Sequence, residues 1–362
     1  MAQHFVHPSQ HLDPALVAVL REAAPAAERA GCLQPSQLAV IHRAGWLRAA
    51  LPRALGGADL GLPALLELEE ALAWADGSTG WVVTLCAGAA WFAGFLDPAL
   101  ATRVLAEDAA CIAGSGAVDG SAEAVAGGWH IRGRWRYASG IEHASALTAN
   151  CRIVQDGVPL EDAGGAPLVR AFLLERGEYR IERDWHAMGM VATASHAFAV
   201  DDAIVPATRS FRIDAAAATR EEAIFRVPFG AFAALTLAAN LAGLATRYLD
   251  LAPPLLPADE FASRMLATVR SELDTARARL HAAGVQLWHA CCGATAPAAE
   301  VLDEAAKASH TLADTAYAAL AQVQPLLGLR GVDTRTDINR AWRDFHTASQ
   351  HALFRRGVRP SS

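Results

Sequence analysis

The spacing of hydrophobic positions changes twice along the chain. Up to about residue 109 they recur every three or four residues in alanine- and leucine-rich segments, the period of a helix. Asp13-Pro14 supplies an N-cap and a proline at the first helical position. A helix is expected from there, kinked or broken at Pro25. Pro35 opens a second helix that stops at Gly45. Pro63 opens a third, carrying Leu65, Leu66, Leu68, Leu72 and Trp74. Asp76-Gly77-Ser78 reads as a break, followed over residues 81–95 by an uncharged helix buried on all sides. Pro98 starts one more short helix, ending near Glu107. From Cys111 to about Ile213 the rhythm becomes two. Trp129, Ile131, Gly133, Trp135 and Tyr137 fall on one side of a strand, and His130, Arg132, Arg134 and Arg136 on the other. The whole stretch 114–143 is β-like, with further alternations at 147–154, 169–174 and 197–200. From Glu221 onward the helical period returns in four segments, 225–251, 261–290, 299–323 and 337–354, whose lengths suit a bundle. The expected organisation is a helical domain over 1–109, a β-domain over 110–215 and a helix bundle over 216–362.

Composition narrows the function class. Of the 362 residues 53% are hydrophobic and 19% charged, so the chain folds around a large core. The net charge of −7 is spread along the chain without a basic block, which argues against a dedicated nucleic-acid binder. Six cysteines form no CxxC pair, and the adjacent Cys291-Cys292 is a poor disulfide candidate. These features point to a reducing, cytoplasmic setting without a thiol-held metal. The N-terminal eleven residues lack the pattern of a signal peptide. The uncharged run 80–96 is barely long enough for a membrane span and is diluted by three glycines, so a buried core helix is expected instead. No dinucleotide or P-loop fingerprint is present.

Two stretches carry candidate chemistry. The aromatic strand ends in Ala138-Ser139-Gly140-Ile141, where the glycine lets the chain turn beside a small hydroxyl. Aromatic rings next to that serine suit a flat slot for a planar ligand. On these residues alone an ordinary amphipathic strand is favoured. In the last helical segment Arg340, Asp344, Thr347 and His351 are spaced i, i+4, i+7, i+11 and so form one stripe. Trp342, Phe345 and Leu353 lie opposite. By itself this stripe reads as a solvated face with an Arg340–Asp344 surface ion pair.

Five segments in order resemble the acyl-CoA dehydrogenase superfamily: LPRALGGADLG at 51–61, ADGSTGWV at 75–82, GGWHIRGRWRYASGIEHA at 127–144, the segment 184–211 beginning DWHAMGMVATASH, and NRAWRDFHTASQH at 339–351. The resemblance spans nearly the whole chain. It implies an α+β fold: an N-terminal helical domain, a central β-barrel-like domain and a C-terminal four-helix bundle. The wording "GRW…SG…HA" and the "RD…H" final helix resemble the two-component flavin-dependent monooxygenases, such as the oxygenase components of hydroxyphenylacetate hydroxylase and dibenzothiophene monooxygenase. That branch implies reduced FMN or FAD delivered by a separate flavin reductase. It further implies molecular oxygen as co-substrate, a flavin C4a-hydroperoxide, a small aromatic or heteroatom-bearing substrate, and a homotetramer without nucleic-acid or membrane partners.

By the same resemblance Ser139 sits at the flavin N5 edge, where a hydroxyl that both donates and accepts is apt. Trp135 and Tyr137 are expected to flank the ring or to pack the core. Gly140 belongs to the same turn, and Thr193 and Ser195 occupy the flavin-contacting hydroxyl loop. In that loop ATASH replaces the family's "GTGSH"-like wording, altering two glycine-type positions. His351 resembles the histidine that projects toward the reacting flavin carbon, and as a base it would work with a pKa near neutrality. Arg343 and Asp344 are expected to be structural or to touch flavin across a subunit boundary. Alanines 89 and 90 stand where related enzymes often carry a histidine, SALT stands where they often carry a tryptophan, and the connection 249–261 is short for the family. The alternative bases His143 and His196 read as structural loop histidines. A second reading, an acyl-CoA dehydrogenase-like oxidoreductase, needs a carboxylate base, for which Glu272, Asp303, Glu304 and Asp314 are candidates. A third reading is a non-catalytic protein that kept the fold.

Overall fold

The computed structural model describes residues 6–162, 164–293 and 295–354; the sequence reading of the first eleven residues falls partly outside this set. The N-terminal helices are α1 (Pro14–Ala30), α2 (Pro35–Arg43), α3 (Leu62–Ala75), α4 (Gly77–Trp91) and α5 (Pro98–Val104). Asp13 caps α1 through the Ala15 amide, as its sequence predicts. The helix continues through Pro25 without a break, and that ring lies on its exposed side. Asp76 breaks the helix as expected, ending α3 at Ala75, but it also caps α4 through Thr79 N, so the break is one residue long and α4 starts four residues before the expected Trp81.

The β-region comprises β1 (Ile112–Val125), β2 (Gly128–Ala138), β3 (Ala146–Gln155), β4 (Val158–Pro159), β5 (Val169–Glu175), β6 (Arg180–Glu182), β7 (His196–Pro206) and β8 (Ser210–Phe211). Among the described residues the strand order is β6-β7-β2-β1-β3-β5-β8, with β4 added to β3. The ends of that path do not pair, so this is an open eight-stranded sheet and the expected barrel-like closure is corrected. β1 runs parallel to β3 and antiparallel to β2.

The two-residue alternation in β2 holds as far as Trp135 and then fails. Trp135 is fully buried, whereas Tyr137 is 64% exposed. The register with β7 slips between Trp135 and Ala138, and Tyr137 takes φ +65°. A bulge therefore inserts a residue, turning Tyr137 outward and Ala138 inward, so the expectation that Trp135 and Tyr137 share a face is overturned.

The C-terminal helices are α6 (Phe229–Leu251), α7 (Glu260–Cys292), α8 (Ala299–Val323) and α9 (Asp337–Ala348). α6 starts four residues later than residue 225, after a 3-10 turn, and α9 stops six residues before residue 354. By length and composition α6 could cross a membrane, but most of its apolar window is buried against its neighbours. Gly243 of α6 and Gly80 of α4 both press onto α3 at Ala73: a Cβ at Gly80 would lie 2.5 Å from the Ala73 backbone, and one at Gly243 would lie 2.9 Å from the Ala73 Cβ. The apolar core forms two clusters. One joins α3 and α4 to the C-terminal helices, and the other joins α1, α2, α3 and α4 to the sheet. α3 and α4 contribute to both and are the helices on which the two clusters meet.

Candidate active site

Ser139 follows the bulge, at the end of β2. Gly140 takes φ +76°, and a Cβ there would come within 2.7 Å of Cys86 Sγ on α4, so glycine is required both by the turn and by the close approach. The Gly140 amide donates to Thr193 O at 2.8 Å, tying this turn to the loop before β7. Three hydroxyls then line up in the interior. Ser139 Oγ lies 2.7 Å from Ser195 Oγ, Ser195 Oγ lies 2.6 Å from Thr193 Oγ1, and Thr193 Oγ1 donates to Met190 O at 2.7 Å. Trp81 Nε1 of α4 donates to Ser139 Oγ at 3.1 Å. All three hydroxyl residues are at most 4% exposed. The sequence signal for Ser139, Gly140, Thr193 and Ser195 thus converges on one cluster. Trp81 belongs to it as well, although the sequence marks it only as the start of a buried helix. An indole N–H in an otherwise apolar helix needs a partner, and that was the available clue.

The loop 189–194 is under backbone strain. Met190 and Ala194 both take positive φ, +53° and +46°. Ala194 stands in one of the family's glycine-type positions and adopts the glycine conformation nonetheless, held by its neighbours. The last helix supplies much of that hold. Asp344 Oδ1 accepts from Met190 N at 2.6 Å, and Thr347 Oγ1 accepts from Gly189 N at 3.1 Å. Arg343 donates to Met188 O at 2.7 Å and to Asn339 Oδ1 at 2.8 Å, and it pairs with Glu28 of α1. The stripe on α9 is accordingly a docking surface and not a solvated face: Asp344 is 3% exposed, and Arg340 pairs with Asp337. Burial pushes the Asp344 carboxyl up to about 7, with Asp76 adding to the shift and the Met190 N–H, Arg340 and Arg343 opposing it.

Of the two expected ring flankers only one is available. The Trp135 indole is stacked on Phe198 (5.0 Å, 13°), donates to Asn150 O at 2.9 Å and covers Gly120, where a Cβ would lie 2.0 Å from the ring. It is a core residue. Tyr137 is exposed and stands edge-on to Trp185 at 6.1 Å. Trp185 in turn donates from Nε1 to Met190 O at 2.9 Å.

His351 lies beyond the end of α9, in a turn, so its position does not follow the helical stripe. Its ring still reaches the cluster, 6.0 Å from Trp81 and edge-on to it. Nδ1 accepts from Leu353 N at 3.4 Å, which assigns the ring proton to Nε2. Burial pushes this imidazole down to about 4, away from the near-neutral value expected of it. At neutral pH His351 is therefore an uncharged N–H donor. His196 accepts from Trp185 N at 3.1 Å and opens β7, paired with Ala138, so its expected place in a loop is corrected to the first strand residue after it. His143 is half-buried with Nε2 unpartnered, and burial lowers its pKa.

A flavin ring fits these residues on two observations. Ser139 Oγ has a lone pair left after its two hydrogen bonds, and the exposed Tyr137 and half-buried Trp185 rings rim the same turn. Arg343, with its partners already in place within the chain, does not stand free for a flavin phosphate.

Residues 230–356 match the family described as acyl-CoA dehydrogenase, C-terminal domain. The oxygenase subunit HsaA, a flavin-dependent monooxygenase of Rhodococcus jostii, is 25% identical over 95% of this chain and 93% of its own. The indole-3-acetate monooxygenase of Pseudomonas putida is 27% identical over 85% and 80%. Among solved structures, XiaF from Streptomyces sp., in complex with FADH2 and glycerol, superposes with a TM-score of 0.86 at 22% identity, covering 96% of this chain and 91% of that one. The fold is that of the acyl-CoA dehydrogenase superfamily. Over most of its length the chain is similar to flavin-dependent monooxygenases, the branch that the five sequence segments resemble.

Proposed function

We propose that this chain is the oxygenase component of a two-component, reduced-flavin-dependent monooxygenase acting on a small aromatic or heteroatom-bearing molecule. The observation that carries the reading is the buried Ser139 hydroxyl, open on one lone pair beside the exposed Tyr137 ring. Reduced FMN or FAD, when bound, supplies the two electrons that split molecular oxygen, one atom entering the substrate and the other leaving as water. The protein's own part is placement. Ser139 meets the N5 edge, Tyr137 and Trp185 cover the ring, and Trp81 fixes the serine. His351, neutral with its proton on Nε2, donates a hydrogen bond at the reacting side. A separate reductase provides the flavin, the setting is cytoplasmic, and the chain folds as the three parts 1–109, 110–215 and 216–362. A homotetramer completes the assembly; static light scattering at micromolar concentration should give a multiple of the 38.1 kDa chain, and a monomer mass would remove that part of the reading.

None of the four carboxylates considered for the dehydrogenase alternative is a buried base. Glu272, Asp303 and Asp314 are exposed, and Glu304 is tied to Arg279 at 2.8 Å. The deciding experiment is rapid anaerobic mixing of the protein with reduced FMN or FAD, then with oxygenated buffer. Slowed, protein-dependent reoxidation and an oxygenated product with an added phenol or indole are expected. Reoxidation at the rate of free flavin would sink the proposal.

A further inference from the structure

We propose that Ser195 and Thr193 are positioning residues that hold the Ser139 hydroxyl as a hydrogen-bond acceptor, so that the site selects reduced over oxidised flavin. The inference rests on the reading that Ser139 meets the flavin N5 edge. It follows from counting hydrogens. A hydroxyl carries one hydrogen and two acceptor lone pairs, a carbonyl carries none to give, and an indole N–H only donates. Met190 O is the fixed end of the chain. It accepts the Thr193 amide at 3.1 Å, the Thr193 hydroxyl at 2.7 Å and the Trp185 indole at 2.9 Å. With its hydrogen committed there, Thr193 can only accept from Ser195, and Ser195 in turn can only accept from Ser139. The Ser139 hydrogen therefore points inward. Trp81 Nε1 fills one of its lone pairs, and the other has no partner among the described hydrogen bonds. A site presenting a lone pair is matched by a donor. Reduced flavin carries N–H at N5, whereas oxidised flavin offers only a lone pair there, which would be set against the serine's own.

Reversing the chain would turn the Ser139 hydrogen outward at the cost of the Thr193–Met190 hydrogen bond. Met190 is kept in place from outside the chain of hydroxyls, by the Asp344 carboxyl on its amide. The direction is thus a property of the folded loop and not of Ser139 alone.

The test compares the dissociation constants of oxidised and reduced flavin, the first from fluorescence quenching in air and the second from anaerobic titration. In Ser195→Ala the Ser139 hydrogen is released to the ligand. The preference for reduced flavin should then fall about tenfold, the scale of one hydrogen bond. The midpoint potential of bound flavin should drop by about 30 mV, the two-electron equivalent of that ratio. Ser195→Thr should keep the wild-type preference. Thr193→Val, close in shape, should act in the same direction as Ser195→Ala and keeps the test open if that variant does not fold. If Ser139→Ala alters flavin affinity while Ser195→Ala and Thr193→Val leave the preference unchanged, the directed chain is refuted and the placement of Ser139 survives. If Ser139→Ala also leaves both affinities untouched, the placement of Ser139 fails and the proposal falls with it.

Discussion

His351 shows how burial reassigns a residue's chemistry. Because its folded pKa is about 4, below the ordinary 6.5, its contribution to stability is complete above about pH 6.5 and is lost as the pH falls toward 4. The same shift keeps it neutral throughout the working range. His351→Ala should slow substrate oxygenation by roughly a hundredfold, the scale for losing a positioned proton-handling group. The pH profile of kcat should carry no inflection from this residue between about pH 5.5 and 8. An inflection near pH 6.5 that disappears in His351→Ala would show the imidazole to be an ordinary titrating base. His346, packed on Trp342 and Tyr317, is the control, and its replacement should leave the oxygenation rate nearly unchanged.

At the scale of elements, α9 and the loop before β7 act as one unit. Gly189 lies so close to the helix that a Cβ would sit 2.1 Å from Arg343 O. Gly189→Ala should therefore cost about 1–3 kcal/mol, read from denaturant midpoints, and should weaken flavin binding with it. Wild-type flavin affinity in a destabilised Gly189→Ala protein would separate the loop from the site. Asp344 adds a pH signature. Its folded pKa of about 7 lies above the ordinary 3.8, so its contribution to stability is present below pH 3.8 and is lost as the pH rises through 7. Asp344→Asn, which retains an oxygen for the Met190 amide, should remove that decline and be more stable than wild type at pH 8, by on the order of a few kcal/mol. Parallel stability–pH curves for the two proteins would refute the assignment. Most helices and the principal strands were legible because caps, prolines and periods act locally: Asp13-Pro14, Pro35 and the Trp129–Trp135 alternation are examples. The bulge at Tyr137 was not legible, because nothing in RWRYASG marks which residue will leave the ladder. Nor was the burial of the α9 stripe, since a charged stripe has the same spacing whether it faces water or a neighbouring loop. The serine and threonine cluster was found through its family wording, while the direction of its hydrogen bonds depends on Trp81, Trp185 and Asp344, which arrive from elsewhere in the chain.

For the whole molecule, the N-terminal helices are joined to the bundle through a buried charge. Glu70 on α3 accepts from Arg277 Nε at 2.5 Å and pairs with His281 at 2.7 Å, both on α7, and Glu70 and Arg277 are at most 3% exposed. Burial alone would raise the Glu70 pKa, but its hydrogen bond to His281 and the charge of Arg277 win and lower it. Glu70→Ala removes the buried one of the two carboxylates on the Arg277 guanidinium, Asp274 at 2.7 Å being the other, and should cost about 3 kcal/mol, seen as a lowered Tm. A loss under about 1 kcal/mol would mean that water replaces the carboxylate and that the two helices are held by their apolar contacts alone.

The grip of α9 on Met190 spans 154 positions of sequence. During synthesis the sheet and its three hydroxyls leave the ribosome long before residues 343–347 do. A nascent chain therefore carries Ser139, Thr193 and Ser195, the hydroxyls proposed to order the flavin edge, yet lacks both His351 and the contacts that fix the strained loop, and on that proposal cofactor loading becomes one of the last events in its maturation. A chain truncated by premature termination or clipped before α9 would keep most of its secondary structure and capture little flavin, which makes bound flavin a readout of complete synthesis.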